Sequence, residues 1–348
     1  GNESDSLRIT NSFFRDIGNK VFHGRLQSNT GARMIIKNNK FSDFSTFLYS
    51  AYVNDNGLLD IDGNEFIGNH GQLSNNNLSA GDAESKIRFT NNQSSVNSYI
   101  RFSASGANAT EYQVIIEDNQ LSDAGSWNSI SLYGSGATQG RFLVKDNTFD
   151  SIGVLISDAA KALIQGNTIK NVQSSGYARP SSLTLEIQNT HAVVENNTIK
   201  DNRGDGISLY ASFDYQAVKD TIRNNTITGN NINNSSSNGG IIISDYGNPV
   251  IWYNDIYDNN IYEIRNNSTV NDVNAKYNWC ASASPGSASP IRLASAKAIP
   301  ISLMKCSTKK PGSELLSMMR GPKFDNDQLP AAPVPTDSNT VGKSKPAL

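Results

Sequence analysis

Proline is almost missing from the first 280 residues of this 348-residue chain, since nine of its eleven prolines stand at or beyond Pro285. Cysteine is scarcer still. Cys280 and Cys306 are the only two, and neither lies in a C-x-x-C or Cys/His pattern, which excludes a zinc-ribbon framework. The three histidines, His23, His70 and His191, are too scattered for a histidine metal site. No apolar run reaches the ~18 residues of a membrane span. Neither sign of charge dominates: 30 Lys and Arg face 32 Asp and Glu. No basic stripe interleaved with aromatics occurs, so nucleic acid is not an expected partner. A G-x-S-x-G phrase is absent, which leaves serine nucleophile chemistry without support.

What is present is a repeated phrase: alternate apolar residues, an Asn, then one more apolar residue two positions on. Put in register, the Asn recurs at Asn11, Asn39, Asn64, Asn92, Asn119, Asn147, Asn167, Asn197, Asn225, Asn254 and Asn278. A period of 20–30 residues signals a stacked array. Three residues before the Asn stand Ile36, Ile61, Phe89, Ile116, Val144, Ile164, Val194, Ile222 and Ile251. Two residues after it stand Phe13, Phe41, Phe66, Leu121, Phe149, Ile169, Ile199, Ile227 and Ile256, with Ser94 breaking the series. Alternation means strands with one buried face, and the residues are β-branched or aromatic.

The Asn side chains then fall one strand spacing apart, about 4.8 Å. Asn39, Asn64, Asn92, Asn119, Asn147, Asn167, Asn197, Asn225 and Asn254 are expected to form an amide ladder at one bend. A second strand follows in most repeats, for example "SLTLEIQN" at 182–189 and "GISLYASF" at 206–213. Each coil holds two or three strands and has no room for a helix. The ten intervals predict a rod of about 48 Å.

These residues, with the "NNTI" turns and a closing "NAKYNWC" at 274–280, resemble the right-handed parallel β-helix repeat proteins of the pectin-lyase-like superfamily. The resemblance covers roughly 7–280. It implies an all-β, single-stranded parallel β-helix solenoid of about ten to eleven coils with an irregular C-terminal tail. Many members close on N-A-x-x-N-W-W-G; here Cys280 replaces the second Trp and the Gly is absent. The expected division is a β-helix over 1–280, a cap over 281–306 and a Pro/Ser-rich linker over 307–348, with a short helix considered at 313–320. The tail, and the opening "GNESDSL" close to the first repeat, read as a module of a longer protein. A disulfide between Cys280 and Cys306 pinning the tail to the last coil, and two free thiols, are both open.

Polysaccharide-active β-helix enzymes use outward side chains on adjacent coils: carboxylates holding calcium with a Lys or Arg base in lyases, paired Asp in hydrolases. Aligning the second strands offers Asp158, Glu186, Asp205 and Asp245 as catalytic candidates. Arg101, Tyr133, Arg179, Tyr210 and Tyr246 are the candidate substrate-binding residues, since aromatic rings stack on sugars and polar groups bond hydroxyls. The "YARPSSL" segment at 177–183 keeps only Arg179 and Pro180 of a pectate-lyase Arg-x-Pro-x-x-Arg phrase. The favoured reading is an extracellular or cell-surface module presenting a rigid surface to a polysaccharide or a cell-surface protein. Such a module requires no cofactor, with calcium admissible. The alternatives are a lyase or glycoside hydrolase using those carboxylates, and a passive adhesin-type spacer.

Overall fold

A computed structural model describes residues 6–27, 31–68, 72–74, 77–96, 99–122, 129–136, 139–173, 184–215, 219–232, 239–268, 270–271, 273–281, 293–295 and 304–307. The chain divides into Gly1–Thr308 and Lys309–Leu348. The second unit, including the segment considered as a helix, lies outside the described residues.

Three parallel sheets of ten, twelve and twelve strands run along Gly1–Thr308, and every coil contributes in turn to each. The strand before each Asn enters the first sheet, as in Val114–Glu117 and Arg141–Lys145. The strand after it enters the second, as in Thr168–Lys170 and Thr198–Lys200. The later strand of the repeat enters the third, as in Leu185–Gln188 and Ile207–Ala211. One 3-10 turn, Phe213–Tyr215, is the sole helical element among the described residues. The solenoid is thus a right-handed parallel β-helix.

The register is that of the sequence repeat. Ile36, Ile61, Phe89, Ile116, Val144, Ile164, Val194, Ile222 and Ile251 pair one to the next in a single inward file and are almost wholly buried. Each contributes about 1.5–3 kcal/mol of transfer free energy. Phe41, Phe66, Ser94, Leu121, Phe149, Ile169, Ile199, Ile227 and Ile256 form a second file, extended by Cys280. Phenylalanines thicken the early coils, with the Phe14, Phe41 and Phe66 rings stacked at 5.0 and 5.3 Å.

At the first bend, each Asn Nδ2 donates to the Oδ1 of the next coil's Asn. The links run from Asn39 to Asn64, Asn92, Asn119, Asn147, Asn167, Asn197, Asn225, Asn254 and finally Asn278, all at 2.9–3.1 Å. Each backbone N–H along the ladder donates to the same oxygen, as Asn167 does to Asn197 at 2.9 Å. The second Nδ2 hydrogen goes to a carbonyl one coil back, as from Asn64 to Ile36. These amides are buried and satisfied, which removes the penalty of burying them.

The first coil corrects the repeat by one residue. Ser12, not Asn11, is the residue whose N–H donates to Asn39 Oδ1, and Phe14, not Phe13, pairs with Phe41. Asn11 instead takes the left-handed conformation of the preceding bend position (φ 52), and Phe13 points outward at 59% exposure. That bend position is left-handed in every later coil, at Asn38, Gly63, Asn91, Asp118, Asp146, Gly166, Asn196, Asn224, Tyr253 and Tyr277. Asn, Asp and Gly tolerate this region at low cost.

Candidate functional site on the third sheet

Sheet alternation decides which third-sheet side chains face outward. One outward file runs Arg101, Ser131, Leu155, Glu186, Ser208, Ile242, Arg265. The next runs Ser103, Tyr133, Ser157, Gln188, Tyr210, Ser244. Arg101, Tyr133, Glu186 and Tyr210 therefore share one outer face, as the aligned strands suggested. The Arg101 guanidinium lies 5.2 Å from the Tyr133 ring centre, and Arg265 lies 4.9 Å from that of Tyr262. These are cation–π distances. Tyr210 is 39% exposed.

The four carboxylates do not form one strip. Glu186 stands in mid-strand, buried, with the Gln188 amide bonded to it. Asp205 lies at the bend before Ile207–Ala211, also buried. It accepts the Gly239 N–H and the Ser208 hydroxyl, each at 2.9 Å. Burial pushes its pKa up to about 6, with the Glu186 carboxylate adding to the rise and Arg265 opposing it. Glu186, Asp205, Ser208 and Arg265 are thus one electrostatic group. Asp158 and Asp245 belong elsewhere, at left-handed positions (φ 54 and 52) where the chain leaves the sheet. Asp158 accepts from Ser157 Oγ at 2.5 Å and Asn189 Nδ2 at 2.9 Å. Tyr246 follows Asp245 and packs edge-on against Phe213 at 5.6 Å. Arg179 lies outside the described residues.

Beside this group runs a second amide ladder that sequence reading passed over. Asn202 Nδ2 donates to Asn230 at 2.7 Å, Asn230 to Asn259 at 2.8 Å, and Asn259 to Glu263 at 2.6 Å. The Glu263 pKa is raised to about 7 by burial. The signal was an Asn five residues after each ladder Asn in three successive coils. Among the described residues no three His, Cys, Asp or Glu side chains converge to hold a metal ion. A shallow groove of about 400 Å³ lies instead on the second sheet, between Glu65, Gln93, Gln120 and Thr148, and contains none of the candidate residues.

Backbone topology and family comparison agree. No curated protein and no solved structure matches the chain. A family model described as the right handed beta helix region matches residues 91–232 and 153–291, which together span more than half of the 348 residues. The chain belongs to this right-handed β-helix family.

Proposed function

We propose that the protein is an extracellular binding module whose third-sheet face takes a glycan along the rod. The observation that carries this reading is the commitment of the carboxylates. Asp158 and Asp205 each accept two hydrogen bonds from neighbouring residues, which suits fixed, pre-organised positions better than proton transfer. Around them, Tyr133, Gln188 and Tyr210 offer ring surface and hydroxyl or amide groups in one register file, Tyr133 two coils before Gln188 and Tyr210 one coil after it. A partially exposed, polar and aromatic face of this kind suits a hydroxyl-rich polymer.

The rival reading is a lyase or hydrolase built on Glu186 and Asp205, and the coupling of these two carboxylates is what favours it. One experiment separates the two. The full chain is applied to a glycan array, and hits are incubated with the protein, with and without calcium, while reducing ends and unsaturated products are followed. The binding reading expects retention without turnover and loss of retention in Glu186→Gln/Tyr210→Ala. Turnover that disappears in Asp205→Asn would establish the enzyme. A chain that retains no glycan at all would defeat both.

A further inference from the structure

Bend residues preceding the ladder Asn are Asn, Asp or Gly in eight successive coils from Asn38 to Asn224, but tyrosine in the last two. Tyr253 and Tyr277 hold φ of 56° and 60°. A bulky aromatic in this region is strained, and such strain is retained where something selects for it. Burial is not the reason, because the two rings are 42% and 65% exposed. They stack on each other with centroids 5.5 Å apart and planes 13° from parallel. Trp252, 37% exposed, precedes them on the first sheet, and Tyr257 and Trp279 pack at 5.1 Å on the second. Five aromatic rings thus surround one corner of the two coils that carry Asn254 and Asn278.

We propose that Tyr253 and Tyr277 form a second glycan site, a ring face left open by their stacking seating the C–H face of an uncharged pyranose ring. The inference shares its ligand class with the third-sheet reading but rests on different residues. A π face is electron-rich and attracts the C–H groups that line one side of a pyranose, while the phenol hydroxyls reach the sugar's hydroxyls. Among the described side chains around the pair, neither sign of charge is in excess. Arg223, which pairs with Trp252, has its guanidinium on Glu195 at 2.6 Å. Asp255 stands on the second-sheet side, and Lys276 follows Trp252 in register on the first. This balance among the described side chains favours a neutral glycan over an acidic polymer.

The test uses cellohexaose, xylohexaose and mannohexaose against the full chain, by isothermal titration and saturation-transfer NMR. Tyr253→Asn/Tyr277→Asn restores the residue found at the equivalent bends of Asn38, Asn91, Asn196 and Asn224, so the fold is kept. Its melting temperature, at or near that of the parent, verifies this. At least one hexaose is expected to bind, and the double variant to weaken it about tenfold or more. Failure of all three to bind, or unchanged affinity in the double variant, overturns the proposal. Glu186→Gln/Tyr210→Ala distinguishes the two sites. Binding lost there but kept in the Tyr double variant sinks this inference and leaves the third-sheet reading standing. The opposite pattern supports this inference and leaves the third-sheet reading to the glycan array.

Discussion

Asn119 gives both its backbone N–H and its side-chain N–H to a single oxygen, Oδ1 of Asn147, at 3.0 and 2.9 Å. One acceptor therefore anchors two donors of the preceding coil. Asn147 in turn donates to Ile116 O, Lys145 O and Asn167 Oδ1. Replacing Asn147 by Ala strands groups on three coils at once. Each buried donor or acceptor left unmade costs about 1–3 kcal/mol. The expected loss is about 3 kcal/mol or more, read from guanidinium unfolding.

Asn39 supplies the contrast. Its oxygen accepts only the Ser12 N–H, at the edge of the solenoid. Asn39→Ala is expected to cost about half as much as Asn147→Ala or less. Equal losses at the two positions would mean that the ladder does not act as a chain of linked rungs.

Asp220 gives the pH dependence. It faces inward in register with Ala192, buried, and accepts the Ala192 N–H at 2.9 Å. Burial lifts its pKa to about 7. Asp205 and Glu263 move in the same direction, to about 6 and 7. A carboxyl whose folded pKa is raised binds its proton more readily when folded. Its contribution is complete below the unfolded value and is lost as pH rises through the folded one. Melting temperature is therefore expected to fall between about pH 4 and 7, from the unfolded to the folded values of these groups. Asp220→Asn keeps an acceptor for Ala192 and removes the titration. It should flatten the slope and raise the melting temperature at pH 8 by about 2–4 °C. A steeper slope in that variant would contradict the assignment.

Cys280 continues the inward file after Ile256, is fully buried and is disulfide-bonded. Cys306, the only other cysteine, belongs to a strand whose backbone pairs with Asn278. Reduction is expected to lower stability by about 3.5 kcal/mol, the chain-entropy value for a loop of this size. Differential scanning calorimetry with and without dithiothreitol measures this. A thiol assay on the denatured, unreduced protein should find none; two titratable thiols would contradict the bond.

The fold was legible because the repeat states its physics at each copy. A β-branched or aromatic residue three before the Asn must face inward once the strands pair, and all nine do. The first coil misled because "TNSFF" permits two registers. The choice is made by Ile9, which pairs with Ile36 and forces Ser12 and Phe14 into the ladder and the core. The candidate site was less legible. Asp158 and Asp245 lie at the end of their strands, whereas Glu186 sits in the middle of one, so resemblance of residue type across coils concealed a difference of three positions. The tyrosine corner was also readable, in "WYND" and "KYNW", as an aromatic where every earlier bend has Asn, Asp or Gly. Its meaning required the backbone angle.

Because "NTIK" begins at both Asn167 and Asn197, the segment between them is a slice that begins and ends on the same junction. Excising Thr168–Asn197 would rejoin identical neighbours, with Ile164 taking the place of Val194 beneath Ile222 and Ile199 still beneath Ile227. Length in this molecule is therefore an adjustable quantity, set by how many slices are strung together rather than by any residue within one.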